Sequence, residues 1–207
     1  MDSCSAVQRI VAILVIVAGG CGGAVFAGSV HTYRGDFNLR IPEEPNGSQG
    51  WMTDAIIDVP DNFTIHDIDV GISLTHTSVF DLQIFLQSPA ETMLCLNMYN
   101  YDEYFEGADY TRTIFDDEAE SPIGQASPPF TGRFRPVEPY KLSQFDGQDA
   151  YGIWRLQIYD AFYADTGTLN SFELIFTVPE PATTTFLTLG AGLLLMLRPR
   201  RGSARSS

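Results

Sequence analysis

Through most of the middle of the chain, apolar side chains return at every second position rather than every third and fourth. Ile68, Val70, Ile72 and Leu74 form one such set, and Leu82, Ile84 and Leu86 a second. Trp154, Leu156 and Ile158 form a third, and Phe172, Leu174 and Phe176 a fourth. A two-residue period turns one side of an extended segment toward a core and the other toward water, so each set predicts a half-buried strand. Turn-forming clusters separate them: Ser88-Pro89, Pro128-Pro129, Asp146-Gly147 and Asp165-Thr166-Gly167. No segment of this region carries a helical stripe. Six to nine short strands spaced in this way predict an antiparallel sandwich or barrel. Phe37, Leu39 and Ile41 mark a further edge strand ahead of a loop from Pro42 to Gly50. The connection from Met98 to Thr111 gathers Tyr99, Tyr101, Tyr104, Phe105 and Tyr110 among acids, and its length marks it as a functional or disordered loop. Packing over the open end of the sandwich is the simplest use for its rings.

Both ends break the pattern. Arg9 precedes nine apolar residues, Ile10 to Ala18, and a small-residue zone closes on Val25-Phe26-Ala27, the layout of an export signal cleaved after Ala27. Ala18-Gly19-Gly20-Cys21 offers a second reading as a lipoprotein box, although that box favours a larger aliphatic residue at the place of Ala18. At the far end, Val178-Pro179-Glu180-Pro181 is followed by an apolar run from Ala182 to Leu197 and then by Arg198, Arg200 and Arg201. The run is shorter than the roughly 20 residues that cross a bilayer core comfortably, so it is expected to span only marginally as a helix. Read together, Pro179, Glu180, Pro181, the apolar run and the three arginines resemble the PEP-CTERM sorting signal of diderm bacteria. That resemblance implies processing by an exosortase-type membrane enzyme and delivery to the cell envelope, outer surface or extracellular matrix. An ordinary C-terminal membrane anchor is the alternative that hydropathy leaves open. The expected organisation is therefore a signal peptide over 1–27, one domain over 28–177 and a sorting tail over 178–207.

Composition sharpens the view of the central domain. Residues 28–177 hold twenty-four acidic and seven basic side chains, Lys141 being the single lysine, within a chain whose formal net charge is −14. Such a surface repels nucleic acid and anionic headgroups and favours divalent cations or basic partners. Cys4 and Cys21 fall in the signal segment, which leaves Cys95 alone in the domain and excludes an internal disulfide there. Its setting, Met93-Leu94-Cys95-Leu96, reads as that of a small buried apolar residue.

A linear series of motifs then becomes recognisable: ISLTHTSVFDLQIFLQSPAETMLCL (Ile72 to Leu96), TIFDDEAESPI (Thr113 to Ile123), PFTGRFRPVEP (Pro129 to Pro139), LSQFDGQDAYGIWRLQIYD (Leu142 to Asp160) and ADTGTLNSFELIF (Ala164 to Phe176). Together they resemble the P domain, or Homo B domain, of subtilisin-like proprotein convertases and many bacterial secreted proteins, over about 120 residues. Tyr151 stands where that family favours Asn, and Phe172 where it favours Trp. The resemblance implies an all-β, antiparallel jelly-roll-like sandwich of about eight or nine strands, flanked here by terminal signal and membrane helices. It also implies a module that accompanies a serine endopeptidase or serves as a binding unit.

Chemistry is sparse by comparison. The chain has three histidines, His31, His66 and His76, and no serine in a nucleophile-elbow pattern. The catalytic domain that a P domain usually follows is not among these residues, so no catalytic residue is assigned. Calcium is the better prospect, because it takes six to eight hard oxygen ligands. Asp81, Asp116, Asp117, Asp160 and Asp165 are the candidates, with Glu118 beside them. Asp160 and Asp165 bracket a hairpin loop that would bring them together, whereas Asp116 and Asp117 would point apart in an extended chain. Capping of turns through backbone hydrogen bonds is the competing use of the same acids. Three readings follow: a non-catalytic structural or binding module in the envelope, an accessory acting in trans on a secreted protease, or an independent hydrolase. Their respective partners are an envelope polysaccharide or matrix, a subtilisin-like enzyme, and a hydrolysable substrate.

Overall fold

The computed structural model describes residues 8–14, 28–44, 48–98 and 107–179. Eleven strands lie within them: β1 (Gln8–Leu14), β2 (Gly28–Ile41), β3 (Gly50–Trp51), β4 (Ala55–Val59), β5 (Asp67–His76), β6 (Leu82–Gln87), β7 (Met93–Asn97), β8 (Tyr110–Phe115), β9 (Phe130–Phe134), β10 (Gly152–Asp160) and β11 (Gly167–Pro179). One sheet runs β1-β2-β11-β5-β8-β9. The other runs β3-β10-β6-β7, with β4 also paired to β10.

Counting only β2, β4, β5, β6, β7, β8, β10 and β11 as strands one to eight, the two sheets read 1-8-3-6 and 2-7-4-5. That is the jelly-roll order, in which successive strands cross between sheets except at the β6–β7 hairpin and the two termini of the roll lie side by side. Among the described residues, every pairing between two strands is antiparallel except β8 with β9, beside which Pro122 and Arg135 form a single parallel bridge. Residues 116–129 connect those two strands, a crossover long enough to bring the chain back in the same direction.

The predicted alternations are the core. Ile68, Val70, Ile72 and Leu74 on β5, and Phe172, Leu174 and Phe176 on β11, face Leu82, Ile84 and Leu86 on β6 and Trp154, Leu156 and Ile158 on β10, all buried. Trp154 packs its ring edge-on against Phe145 and Phe176, with centroids 5.3 and 5.6 Å away, and its indole N–H donates to the Ala150 carbonyl at 2.9 Å. That hydrogen bond lets a polar-tipped ring sit in an apolar layer without an orphaned donor. Between Leu169 and Ser171, β11 holds one residue more than β5 and one fewer than β2, a double irregularity at which the alternation slips.

Several expectations need adjustment. Residues 8–14, expected within a signal helix, form a strand on the edge of β2. Ile10, Val11 and Ile13 are β-branched and fit a strand as readily as a helix, and the free β2 edge supplies hydrogen-bond partners. The expected edge strand at Phe37 to Ile41 begins much earlier, at Gly28, and is flanked on both sides by β1 and β11. Tyr110, placed in the long loop on sequence, opens β8 and is buried, with Asn97 Nδ2 donating to its hydroxyl at 2.6 Å. Residues 99–106 of that loop, with Tyr99, Tyr101, Tyr104 and Phe105, lie outside the described residues. So do the expected cleavage point at Ala27, Glu180, Pro181, and Arg198, Arg200 and Arg201 with the apolar run before them. Pro179 is the last residue of β11 and pairs with Gly28. Among the described residues, no helix is long and apolar enough to cross a membrane.

Candidate functional site

β5 carries chemistry at both ends. At its C-terminal end, His76 Nε2 lies 3.2 Å from Asp160 Oδ2, at the end of β10, and both side chains are fully buried. His76 Nδ1 lies 2.7 Å from the Ser78 carbonyl. The Ser78 amide also donates to Nδ1 at 3.2 Å, so both ring nitrogens are engaged by groups of the protein itself. Asp160 Oδ1 accepts the Phe162 amide at 3.1 Å, which ties the hairpin loop to the same pair. Gly167 closes the site: a Cβ there would stand 2.1 Å from the Thr75 carbonyl oxygen and 2.6 Å from His76 Cδ2. Only glycine allows β11 to pass this close to the histidine.

Two more of the predicted acids gather around this pair. Asp165 Oδ1 accepts the Thr77 hydroxyl at 2.6 Å. Burial holds the Asp81 carboxyl above the ordinary carboxylate range, a Ser78 hydrogen bond opposes this, and the charges of Asp160 and Asp165 add to the rise. The hairpin therefore does bring Asp160 and Asp165 to one end of the sandwich, with Asp81 beside them. An open groove of about 560 Å³ lies alongside, lined by Asn38, Arg40, Thr75, His76, Thr77 and Asp109, the His76 side chain itself staying covered.

At the N-terminal end of β5 the acids Asp67 and Asp69 meet Asp116, which follows β8. Arg133 on β9 bridges two of them: its Nε donates to Asp116 Oδ2 at 2.5 Å and its Nη2 pairs with Asp69. Burial pushes Asp69 up to about 6 in spite of Arg133. For Asp116, burial acts in the same direction, but the Arg133 hydrogen bond and charge and the Glu118 amide outweigh it and hold the carboxyl below its usual range. Burial raises Asp67, Glu118 and Asp146 as well; the Asp116 charge adds to the first two and the Asp67 charge to the third. Asp117 turns away from Asp116, and its two oxygens accept the Leu142 and Ser143 amides, each at 2.9 Å. It thereby caps the 3-10 turn Leu142–Phe145.

The five candidate calcium ligands consequently split between opposite ends of β5. Each carboxylate is engaged by protein: Asp160, Asp116, Asp117 and Asp165 as above, and Asp81 through Ser78. Among the described residues, no three His, Cys, Asp or Glu side chains stand where they could jointly hold a metal ion. In this structure the acids accept hydrogen bonds from turns, and Asp116 also pairs with Arg133.

For nucleophilic chemistry, His76 has no ring nitrogen left to take a proton from a hydroxyl. His31 Nε2 lies 3.1 Å from Ser29 Oγ, two residues away on β2, but its buried Nδ1 meets no hydrogen-bond partner. A Ser-His pair whose base lacks an orienting carboxylate is not a triad. The ring instead stacks against Phe63 at 4.9 Å.

Sequence pointed to Asp160 and Asp165 as neighbours and named Asp81 as a further candidate without placing it beside them. It passed over Asp67, Asp69 and Arg133, whose only signal was their alternation with Ile68, Val70 and Phe134.

Among solved structures, the chain is similar to the serine protease of Aeromonas sobria, with 16% identity and a TM-score of 0.40 over 86% of this chain and 28% of that one. The same protease in complex with the chaperone gives 16% identity and a TM-score of 0.40, covering 85% and 28%. The chain thus spans little more than a quarter of the length of these structures. No curated protein matches it by sequence. The family model of the proprotein convertase P-domain matches residues 65–176, from the entry to β5 through the last core residue of β11, and by that match over more than half its length the chain belongs to the P-domain family.

Proposed function

We propose that this protein is an exported, non-catalytic P-domain module that is sorted to the bacterial cell envelope or its polysaccharide matrix and acts there by binding. The observation that carries the reading is the closure of the most enzyme-like site. His76 and Asp160 are fully buried and hydrogen-bonded on every side, so they hold β5, β10 and the loop after β10 together rather than facing a substrate. The ends of the chain support the address: an Arg9-led apolar segment before Ala27, and the Val178 to Pro181 box with its apolar run and arginines. The test has two parts. The purified chain should release no products from casein or envelope polysaccharides. Its mass, after recovery from envelope fractions of a producing cell, should show the residues before Gly28 removed and the tail processed at or near Pro179. Turnover that is lost in Asp160→Asn would overturn the non-catalytic reading, and an intact N-terminus would overturn the export reading.

A second reading follows from family membership alone. The matching family is the proprotein convertase P-domain, so a module with no triad among its described residues could stabilise a separate secreted subtilisin-like protease in trans. Co-purification with, and thermal stabilisation of, an exported subtilase from the same cell would favour it.

A further inference from the structure

The outer face of the β3-β10-β6-β7 sheet carries aromatic rings where a solvated sheet face would carry polar ones. Trp51 on β3 is 53% exposed. It pairs across the sheet with Tyr159 on β10, ring centroids 4.9 Å apart, and meets Phe85 on β6 at 6.0 Å. Large rings grouped on a water-facing surface mark a contact site, because each forgoes burial that a core would give it. Trp51 is braced by its two neighbours, so its exposed ring is held in place before any partner arrives.

Around the rings stand hydrogen-bonding groups with little net charge. Gln49 Nε2 donates to the Tyr159 hydroxyl at 3.2 Å, and Gln157, two residues along the same face of β10, donates to Asp54 at 3.2 Å. Gln83 pairs directly opposite Tyr159 on β6. Amides and a carboxylate beside aromatic planes complement a pyranose, whose C–H face stacks on a ring while its hydroxyls both donate and accept. The net charge of −14 opposes polyanions and anionic membranes and places no such barrier before an uncharged glycan. The rings are tilted by 52° and 44° to Trp51, so they form no single plane. They suit one twisted chain rather than a flat crystalline surface.

We infer that the Trp51, Tyr159 and Phe85 face is a binding site for a single chain of neutral polysaccharide. The inference rests on the binding-module reading above and gives that reading its ligand class. Affinity electrophoresis of the full chain tests it, in gels containing laminarin, dextran or galactomannan, with alginate as the acidic comparison. At least one neutral glycan should retard migration and alginate should not. Trp51→Ala and Tyr159→Ala should each weaken retention by about tenfold or more, as expected for loss of a central anchor. Ile56→Ala, an exposed position elsewhere on the same sheet face, should leave retention unchanged. All three variants should melt with the parent. The site is overturned by indifference to every neutral glycan, by retention that survives Trp51→Ala, or by equal retention in alginate. It is also overturned by a concentration-dependent dimer that Trp51→Ala dissolves, which would make the face a contact between two copies. Shortening of the glycan during the run would instead overturn the non-catalytic reading and leave the binding site standing.

Discussion

Asp69 and Asp116 share one cation and move in opposite directions, because the balance of burial and pairing differs between them. Asp69 is mostly buried on β5 beside Arg133, and burial pushes it up to about 6 from an ordinary value of 3.8. The folded state therefore binds this proton more tightly than the unfolded chain does. Its contribution is fully present below about pH 4 and is lost as pH rises through about 6. After allowance for the partial solvent exposure of the group, the loss amounts to about 1 kcal/mol. Urea titrations at pH 4, 5, 6 and 7 should show parent stability falling through that window relative to Asp69→Asn, which keeps an acceptor for Arg133 and removes the titration. Parallel pH profiles for parent and variant would refute this account. Cys95 makes a second residue-scale case. Burial pushes its thiol up to about 11, an Asn97 hydrogen bond opposing, and Sγ donates to the Asn97 carbonyl at 3.2 Å. A thiol held in its protonated form is a poor nucleophile. Iodoacetamide at pH 8 should leave Cys95 unmodified in the native protein and label it in denaturant; rapid native labelling would contradict the burial.

At the level of elements, the tightest approach at any described glycine is β11 crossing the end of β5. Gly167→Ala would drive a methyl into the Thr75 carbonyl and the His76 ring, so the strand must move away from the buried His76–Asp160 pair. A loss of about 2 to 4 kcal/mol is expected from overpacking together with a loosened buried hydrogen bond, read as a lower urea midpoint with an unchanged m-value. Thr168→Ala, one residue on and half-buried, should cost less than about 1 kcal/mol. Equal effects at the two positions would show that close approach is not what fixes glycine at 167. This pair also marks how far sequence could be read. Strands β5, β6, β10 and β11 were visible because each buries one side only, so their apolar residues alternate. Most of β2 was hidden, since Ser29 to Thr32 alternate in neither hydropathy nor burial. The parallel β8–β9 pairing was hidden too, because it depends on the path of residues 116–129. Asp160 and Asp165 could be placed together from a five-residue separation. The Arg133 bridge spans Asp69 to Asp116 across three strands and leaves no local trace, and Trp51 sits in a two-residue strand too short to show any period.

Over the whole molecule the dominant fact is charge. Residues 28–177 carry seventeen more acidic than basic side chains, and the acids at the start of β5 raise one another's protonation. A compact state so charged is destabilised by its own repulsion, and mobile ions relieve it within a Debye length of about 10 Å at 0.1 M salt. The melting temperature should therefore climb as sodium chloride rises from 10 to about 150 mM. Calcium chloride tests what kind of relief this is. An ion seated among Asp81, Asp160 and Asp165 would stabilise by mass action, well beyond sodium at the same ionic strength, and Asp165→Asn would abolish the excess. Those carboxylates already accept the Phe162 amide, the Thr77 hydroxyl and a Ser78 hydrogen bond, and among the described residues no three such groups converge. Matched ionic strengths should accordingly give matched melting temperatures, with screening as the common cause. A calcium-specific rise that disappears in Asp165→Asn would assign the His76 end of the sandwich to an ion instead of to turn caps.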